Sequence, residues 1–416
     1  MRLANWDTSE DEAVLNSETR HEPVVEPTPI TRAVTPTPPV SPSKSAPIKV
    51  GTADNDDRTP LRVGDDLANA FATTQRVQVD EKAMINCRAD LNQLIPFKYV
   101  WAWEKYLLAR KNHWMPDEIP MQDDITQWKS EGILSEEERQ VVKRSLGFFA
   151  TADSLVANNI VLGLYRLITN PECRNYLLLQ ASEEALHTHA YQYCIESLGM
   201  EESELFNMYR EIKSVGDKSA WALKQTSLLS DPHFNTGTLA SDRLLLENLI
   251  AYYCVVEGIF FYCGFALILS MAREGKMINT AKQFEMIMRD ESMHINFGLD
   301  MINQIKQENP HLWDAEMRET AIRMIKEGLE LEVEFAHDTM PSGIQGMNVE
   351  LMTTYLQYIA NRRFTSLQLP EQYDAPTNPF PWMTRTIDQQ KQVSFFEQNV
   401  ADYQIGGGIQ WDKGDW

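Results

Sequence analysis

The sequence offers no disulfide framework. Its five cysteines (Cys87, Cys173, Cys194, Cys254, Cys263) form no CxxC pair and no finger-like spacing, so neither a stapled secreted scaffold nor a zinc finger fits. Positive charge is also scarce: 38 Lys and Arg face 60 Asp and Glu, leaving −22 with histidines neutral. So acidic a chain argues against nucleic acid or an anionic membrane as partner, because binding phosphates requires a basic surface. No apolar leader follows from MRLANWDTSEDE, and a reducing cytoplasm is the expected location. Alternating strands, a glycine-rich phosphate loop and tandem repeats are missing as well.

What is present is helical. Residues 1–75 stand apart, because eight of the twenty prolines lie between Pro23 and Pro47, interleaved with Thr, Ser and Val. Such a stretch has little to bury, and it is expected to be a disordered extension, with a short ordered piece around Leu67–Phe71. From about Lys82, apolar residues recur at three and four, first in Leu94–Leu108 and again over Val141–Ile168. Further runs cover about 172–198, 202–228, 240–273, 278–308, 312–339 and 347–365, with a capping box at Ser135 and Glu138. The 43% hydrophobic content suffices for a sizeable core. An all-α bundle is therefore expected over 76–365, followed by a Pro-, Gln- and Gly-rich tail over 366–416.

One run invites a membrane reading. Asn248–Ala272 carries a single charge, Glu257, in 25 positions, long enough to span a bilayer. The mid-run carboxylate, the scattered tyrosines and the lack of basic flanks favour a central helix of a bundle instead.

That lone Glu257 belongs to a pattern. ExxH places a carboxylate and an imidazole one turn apart on one helix face. The chain has five such pairs. Glu18/His21 falls in the extension, Glu308/His311 encloses Pro310, and Glu334/His337 shares its helix with Glu327, Glu330 and Glu332, as on a solvated face. The remaining two each follow a lone acid in an apolar helix: Asp153 precedes Glu184/His187 by 31 residues, and Glu257 precedes Glu291/His294 by 34. Four helices could thus point four carboxylates and two imidazoles at one place, the ligand set of di-iron or di-manganese carboxylate bundles. Buried unpaired acids are costly, and no Lys or Arg lies in the Glu257 run to compensate. The residues alone leave open a di-metal oxidase such as a desaturase, or an iron-binding protein.

The strings FFATADSLVANN, EEALHTHAY, VVEGIFFYCGF and RDESMH resemble, in order, the small (β, radical-generating) subunit of class I ribonucleotide reductase, over about residues 82–410. The resemblance implies a ferritin-like helical bundle with extra helices, forming a homodimer. It implies a first metal held by Asp153, Glu184 and His187, and a second held by Glu257, Glu291 and His294. It makes Tyr191, four residues after His187, the radical-bearing tyrosine, with Phe261, Phe265 and Ile287 as its apolar pocket. Trp114 would connect the metal site to the surface, with Asp290 bridging the indole to His187. In the tail, Tyr403 would pass the radical to the large subunit, and Glu397 would assist its proton. The implied activity is reaction of a reduced metal pair with O₂ to form the Tyr191 radical, used by the large subunit to reduce ribonucleoside diphosphates to deoxyribonucleotides. Two Fe per chain is the expected cofactor, since Asp153 and Tyr191 match the di-iron tyrosyl branch; Mn/Fe or Mn is the alternative.

Overall fold

Residues 75–388, apart from 91, 92 and 345, are described by a computed structural model of the chain. The extension through residue 74, Leu67–Phe71 included, lies outside the described residues, as do Glu397, Tyr403 and the end of the tail. Helices dominate, and among the described residues the only β pairings are isolated bridges such as Ile85 with Ile168.

Local signals account for the main helix ends. Helices α1 (Val100–Ala109) and α2 (Gln122–Lys129) lead into α3, Glu136–Asn158. Ser135 caps α3: its hydroxyl accepts from Glu138 N at 3.2 Å, and Glu138 Oε2 accepts from Ser135 N at 2.9 Å. Helix α4, Pro171–Leu198, starts with Asn170 accepting from Cys173 N and Pro171 at the first position, and stops at Gly199 with φ +68°. After α5 (Glu202–Phe206), α6 (Met208–Glu211) and α7 (Lys213–Thr226) come α8 (Leu239–Ile250) and α9 (Tyr262–Arg273). Then follow α10 (Ile278–Glu308), α11 (Ala315–Thr339), α12 (Val349–Ser366) and α13 (Pro381–Asp388).

Four of these enclose the centre. Helix α3 packs on α4, α4 on α10, α10 on α9, and α9 back on α3. Helices α7, α11 and α12 lie outside this ring, with α11 against both α7 and α12. The architecture is all-α, as the apolar periodicity requires.

Several runs differ in detail from their sequence expectation. The helix expected from Leu94 begins only at Val100, because Pro96 lacks an N–H and disfavours helical backbone at the residue before it. The 202–228 run is three helices: the chain becomes extended at Ile212, and the breaks let Leu205, Met208 and Val215 all bury. The 240–273 run is interrupted by a π segment, Ala251–Val256, and a turn over 257–261. The solvated face expected of α11 holds for the exposed Glu334 and His337 but not for Glu332, which is fully buried in an ion pair with Lys218. Between residues 366 and 383 the chain stays packed, with Leu367, Leu369, Phe380 and Met383 buried.

The apolar runs are interior. All of Asn248–Ala272 except Leu269 and Ala272 is buried, and the run is too broken to be one spanning helix. Glu136–Leu167 is long and apolar enough to cross a membrane, but 65% of its most apolar window is buried in the bundle.

Candidate metal centre

Each wall of the ring contributes to one buried cluster. Asp153 comes from α3, Glu184 and His187 from α4, Glu257 from the turn before α9, and Glu291 and His294 from α10. All six are at most 1% exposed. The three-residue step within each ExxH puts acid and imidazole on one face, so α4 and α10 offer the same pair from opposite sides.

The donor atoms form two overlapping sets. Asp153, Glu184, His187 and Glu291 make one, and Glu184, Glu257, Glu291 and His294 the other, with donor atoms within 4.8 Å of each other in each set. His187 Nδ1 lies 3.4 Å from Glu184, 3.2 Å from Glu291 and 3.7 Å from Asp153. His294 Nδ1 lies 3.1 Å from Glu184, 3.3 Å from Glu291 and 3.9 Å from Glu257. Glu184 and Glu291 thus belong to both sets, whereas the family resemblance implied one metal for each acid.

The cluster carries buried polar atoms that no protein group satisfies: both Asp153 oxygens, both Glu184 oxygens, Glu257 Oε2, Glu291 Oε1 and His187 Nδ1. Orphaned donors concentrated at one point suit a cation, since unsatisfied buried polar atoms are otherwise rare. The electrostatics agree. Burial, reinforced by the neighbouring carboxylates, pushes Asp153 and Glu257 well above the usual carboxylate range. For Glu291 burial acts in the same sense, but the two imidazoles beside it outweigh burial and hold the group at about 2. Burial would depress the two imidazoles, yet their carboxylate partners raise both. At Asp153, Glu257, His187 and His294 a dication would take the place of these protons.

The outer nitrogens are tied as well. His187 Nε2 lies 3.2 Å from Asp290 Oδ2, and the same oxygen accepts from Trp114 Nε1 at 2.8 Å. Asn112 Nδ2 donates to the other Asp290 oxygen. The sequence-based trio of Trp114, Asp290 and His187 is therefore assembled. On the opposite side His294 Nε2 lies 2.9 Å from Glu183 Oε2, a partner that sequence reasoning missed. The signal was there: both motifs read acid-Glu-x-x-His, and the acid preceding each glutamate reaches the histidine of the other motif. An acceptor at Nε2 fixes the hydrogen there and turns the Nδ1 lone pair inward.

Tyr191 lies on α4 beyond His187, fully buried. Its hydroxyl makes no hydrogen bond but is next to Asp153, and burial and then the Asp153 charge raise its pKa well above normal. The rings against it are Phe149 at 5.5 Å and Phe284 at 5.8 Å, neither named from the sequence. Phe261 and Phe265 pack on Phe149 at 5.0 and 5.1 Å, and Ile287 is fully buried on α10. Gly264 makes room for this box, since a Cβ there would stand 2.4 Å from Phe149 Cε2.

Comparison with known proteins bears on this geometry. The family model described as "Ribonucleotide reductase, small chain" matches residues 91–379. The ribonucleoside-diphosphate reductase subunit beta of Chlamydia pneumoniae is 46% identical, over 81% of this chain and 97% of its own. The R2 subunit of Clostridium botulinum superposes with a TM-score of 0.67 at 26% identity, covering 74% of this chain and 94% of that one. The dimanganese(II) NrdF of Streptococcus sanguinis, 19% identical, shares the fold with a TM-score of 0.58, over 71% of this chain and 98% of that one. Sequence and backbone agree over most of the described bundle, and the chain belongs to the ribonucleotide reductase small-chain family, the β subunits of ribonucleoside-diphosphate reductase.

Proposed function

We propose that this chain holds two redox-active metal ions between Asp153, Glu184, His187, Glu257, Glu291 and His294, stores an oxidising equivalent as a radical on Tyr191, and lends it to a large subunit that reduces ribonucleoside diphosphates. The observation that carries this reading is the pair of donor sets sharing Glu184 and Glu291, with their orphaned oxygens. Three carboxylates and one imidazole in each set suit iron or manganese better than zinc. Asp153 and Tyr191 support iron, while the dimanganese relative keeps manganese as the second reading. When bound, such a pair supplies the activation of O₂ and the oxidising power.

The rest falls to the protein. Glu184 and Glu291 would each serve both ions, holding them together. Asp153, beside the Tyr191 hydroxyl, is the group placed to take its proton on oxidation. Phe149 and Phe284 shield the Tyr191 ring from water and from reductants. Asp290 joins Trp114 and His187 through one oxygen, so Trp114 is the residue through which an electron would pass outward. Among the described residues no indole donates to Glu183, so the relay is drawn through Asp290. Tyr403 and Glu397, from the tail, would continue it to the large subunit. The working unit would be a homodimer docked on that subunit, in the cytoplasm.

Adding Fe(II) and then O₂ should yield about two irons per chain and a persistent tyrosyl EPR signal. With a large subunit, the loaded protein should form dCDP. Tyr191→Phe should still bind iron and consume O₂ but lose the signal. An unchanged signal in that variant would move the radical elsewhere, and a wild-type protein with metal but no signal would favour the manganese reading. An oxidase or desaturase would need an open channel to the six residues, and they are at most 1% exposed.

A further inference from the structure

Glu257 is the one cluster carboxylate carried by irregular backbone. The π segment Ala251–Val256 runs into it, and its N–H reaches back five residues to Tyr252 O at 3.0 Å. Phe260 N likewise reaches Val255 O at 3.0 Å, before regular turns resume in α9. Such a break leaves backbone groups without helical partners, in an interior without water to satisfy them. Gly258 belongs to the same device: a Cβ there would stand 2.4 Å from Cys254 O, so only glycine fits beside Glu257.

The freed groups are met by charged side chains from three other helices. Lys218 Nζ (α7) donates to Phe260 O at 2.8 Å. Arg363 Nε (α12) donates to Gly258 O at 3.0 Å, and its Nη2 to Tyr262 Oη at 2.9 Å. Glu332 Oε1 (α11) accepts from Cys263 N at 3.0 Å, and its Oε2 pairs with Lys218 at 2.5 Å. Lys218 and Glu332 are fully buried and Arg363 is 5% exposed. Lys218 also sits 3.4 Å above the Phe148 ring and 4.1 Å from that of Phe335.

Stability alone is a poor reason for this arrangement. Burial lifts the Glu332 carboxyl to about 7 and depresses the Lys218 ammonium, so the pair is held against desolvation. Buried ion pairs are often replaced by well-packed apolar residues without loss of stability. What apolar residues could not do is donate to two carbonyls of the turn that carries Glu257 and accept from one N–H at the start of α9 behind it.

We infer that Lys218, Glu332 and Arg363 are positioning residues for Glu257, clamping the turn 257–261 and the start of α9 so that its carboxylate completes the donor set with His294; this rests on the metal reading above. The clamp touches neither Asp153 nor His187. Its loss should therefore weaken one metal position and spare the other.

Anaerobic Mn(II) titration followed by EPR tests this, since it reads metal binding without turnover. Wild type should take up two Mn(II) per chain. The double variant Lys218→Met/Glu332→Leu should keep its helical circular dichroism and melt close to wild type. It should bind one Mn(II) normally and the other at least tenfold more weakly, with loss of the coupled-pair spectrum. An isotherm and spectrum superimposable on wild type would overturn the clamp. If the double variant does not fold, Arg363→Met, which removes the donors to Gly258 O and Tyr262 Oη, is read the same way. Failure of wild type itself to bind two Mn(II) would instead overturn the metal reading, and the two failures are distinct.

Discussion

Asp290 Oδ2 serves two donors at once, the Trp114 indole at 2.8 Å and His187 Nε2 at 3.2 Å, while Asn112 donates to its other oxygen. Three donors converge on one carboxylate, so an amide in its place would turn its own N–H₂ toward a donor. Asp290→Asn should therefore retain metal and the Tyr191 signal but cut dCDP production by about 10–100-fold. Metal analysis, EPR and turnover on one preparation decide this, and normal turnover would remove Asp290 from the relay. At this scale the six cluster residues were legible as repeated spacings on apolar helices. Glu183 carries the same signal, as the acid before Glu184 that mirrors the Asp290–Glu291 pair. Phe149 and Phe284 left no such trace: an aromatic in an apolar helix gives no hint of which tyrosine it will touch. Nothing local marks Lys218 and Glu332 as a pair, because 114 positions of chain separate them.

Among elements, those with punctuation at both ends matched their sequence. Helix α10 spans Ile278–Glu308, as the periodicity predicts, and α4 opens at Pro171 and closes at Gly199 as Pro and Gly placement requires. The Ser135–Glu138 box starts α3, which carries Asp153, and Glu138 is further held by Lys276 at 2.7 Å. Ser135→Ala should cost about 1 kcal/mol, seen as a lower urea midpoint with metal content unchanged. A midpoint equal to wild type would show that Lys276 anchors the helix start alone. Elements interrupted within were not legible. Apolar periodicity cannot register a π segment, because inserting one residue shifts the buried face without making it polar. The run around Glu257 is buried on all sides, so its break left no polar mark in the sequence.

For the whole molecule, the ring of α3, α4, α9 and α10 accounts for the centre, and the tail should account for the partner. The segment after Tyr403 supplies Ile409, Trp411 and Trp416, residues of the kind that dominate small docking patches. Deleting 409–416 should abolish large-subunit binding and leave the Tyr191 radical intact. Tyr403→Phe should preserve both binding and radical yet abolish dCDP formation, since phenylalanine is not oxidised at an accessible potential. Binding, EPR and product assays on the two proteins separate docking from transfer, and full turnover by Tyr403→Phe would end the assignment.

The sequence by itself determined the all-α class, the extents of the capped helices and the two acid-then-ExxH repeats, because helical period and ligand spacing are local properties. Only the tertiary structure decided that Glu184 and Glu291 face both histidines, that Glu183 and Asp290 cross over to the opposite motif, and that Phe149 and Phe284 close on Tyr191. It alone set Lys218, Glu332 and Arg363 on the turn at Glu257. These contacts join residues tens to hundreds of positions apart. They exist because helices pack face to face, and no local pattern states which faces will meet.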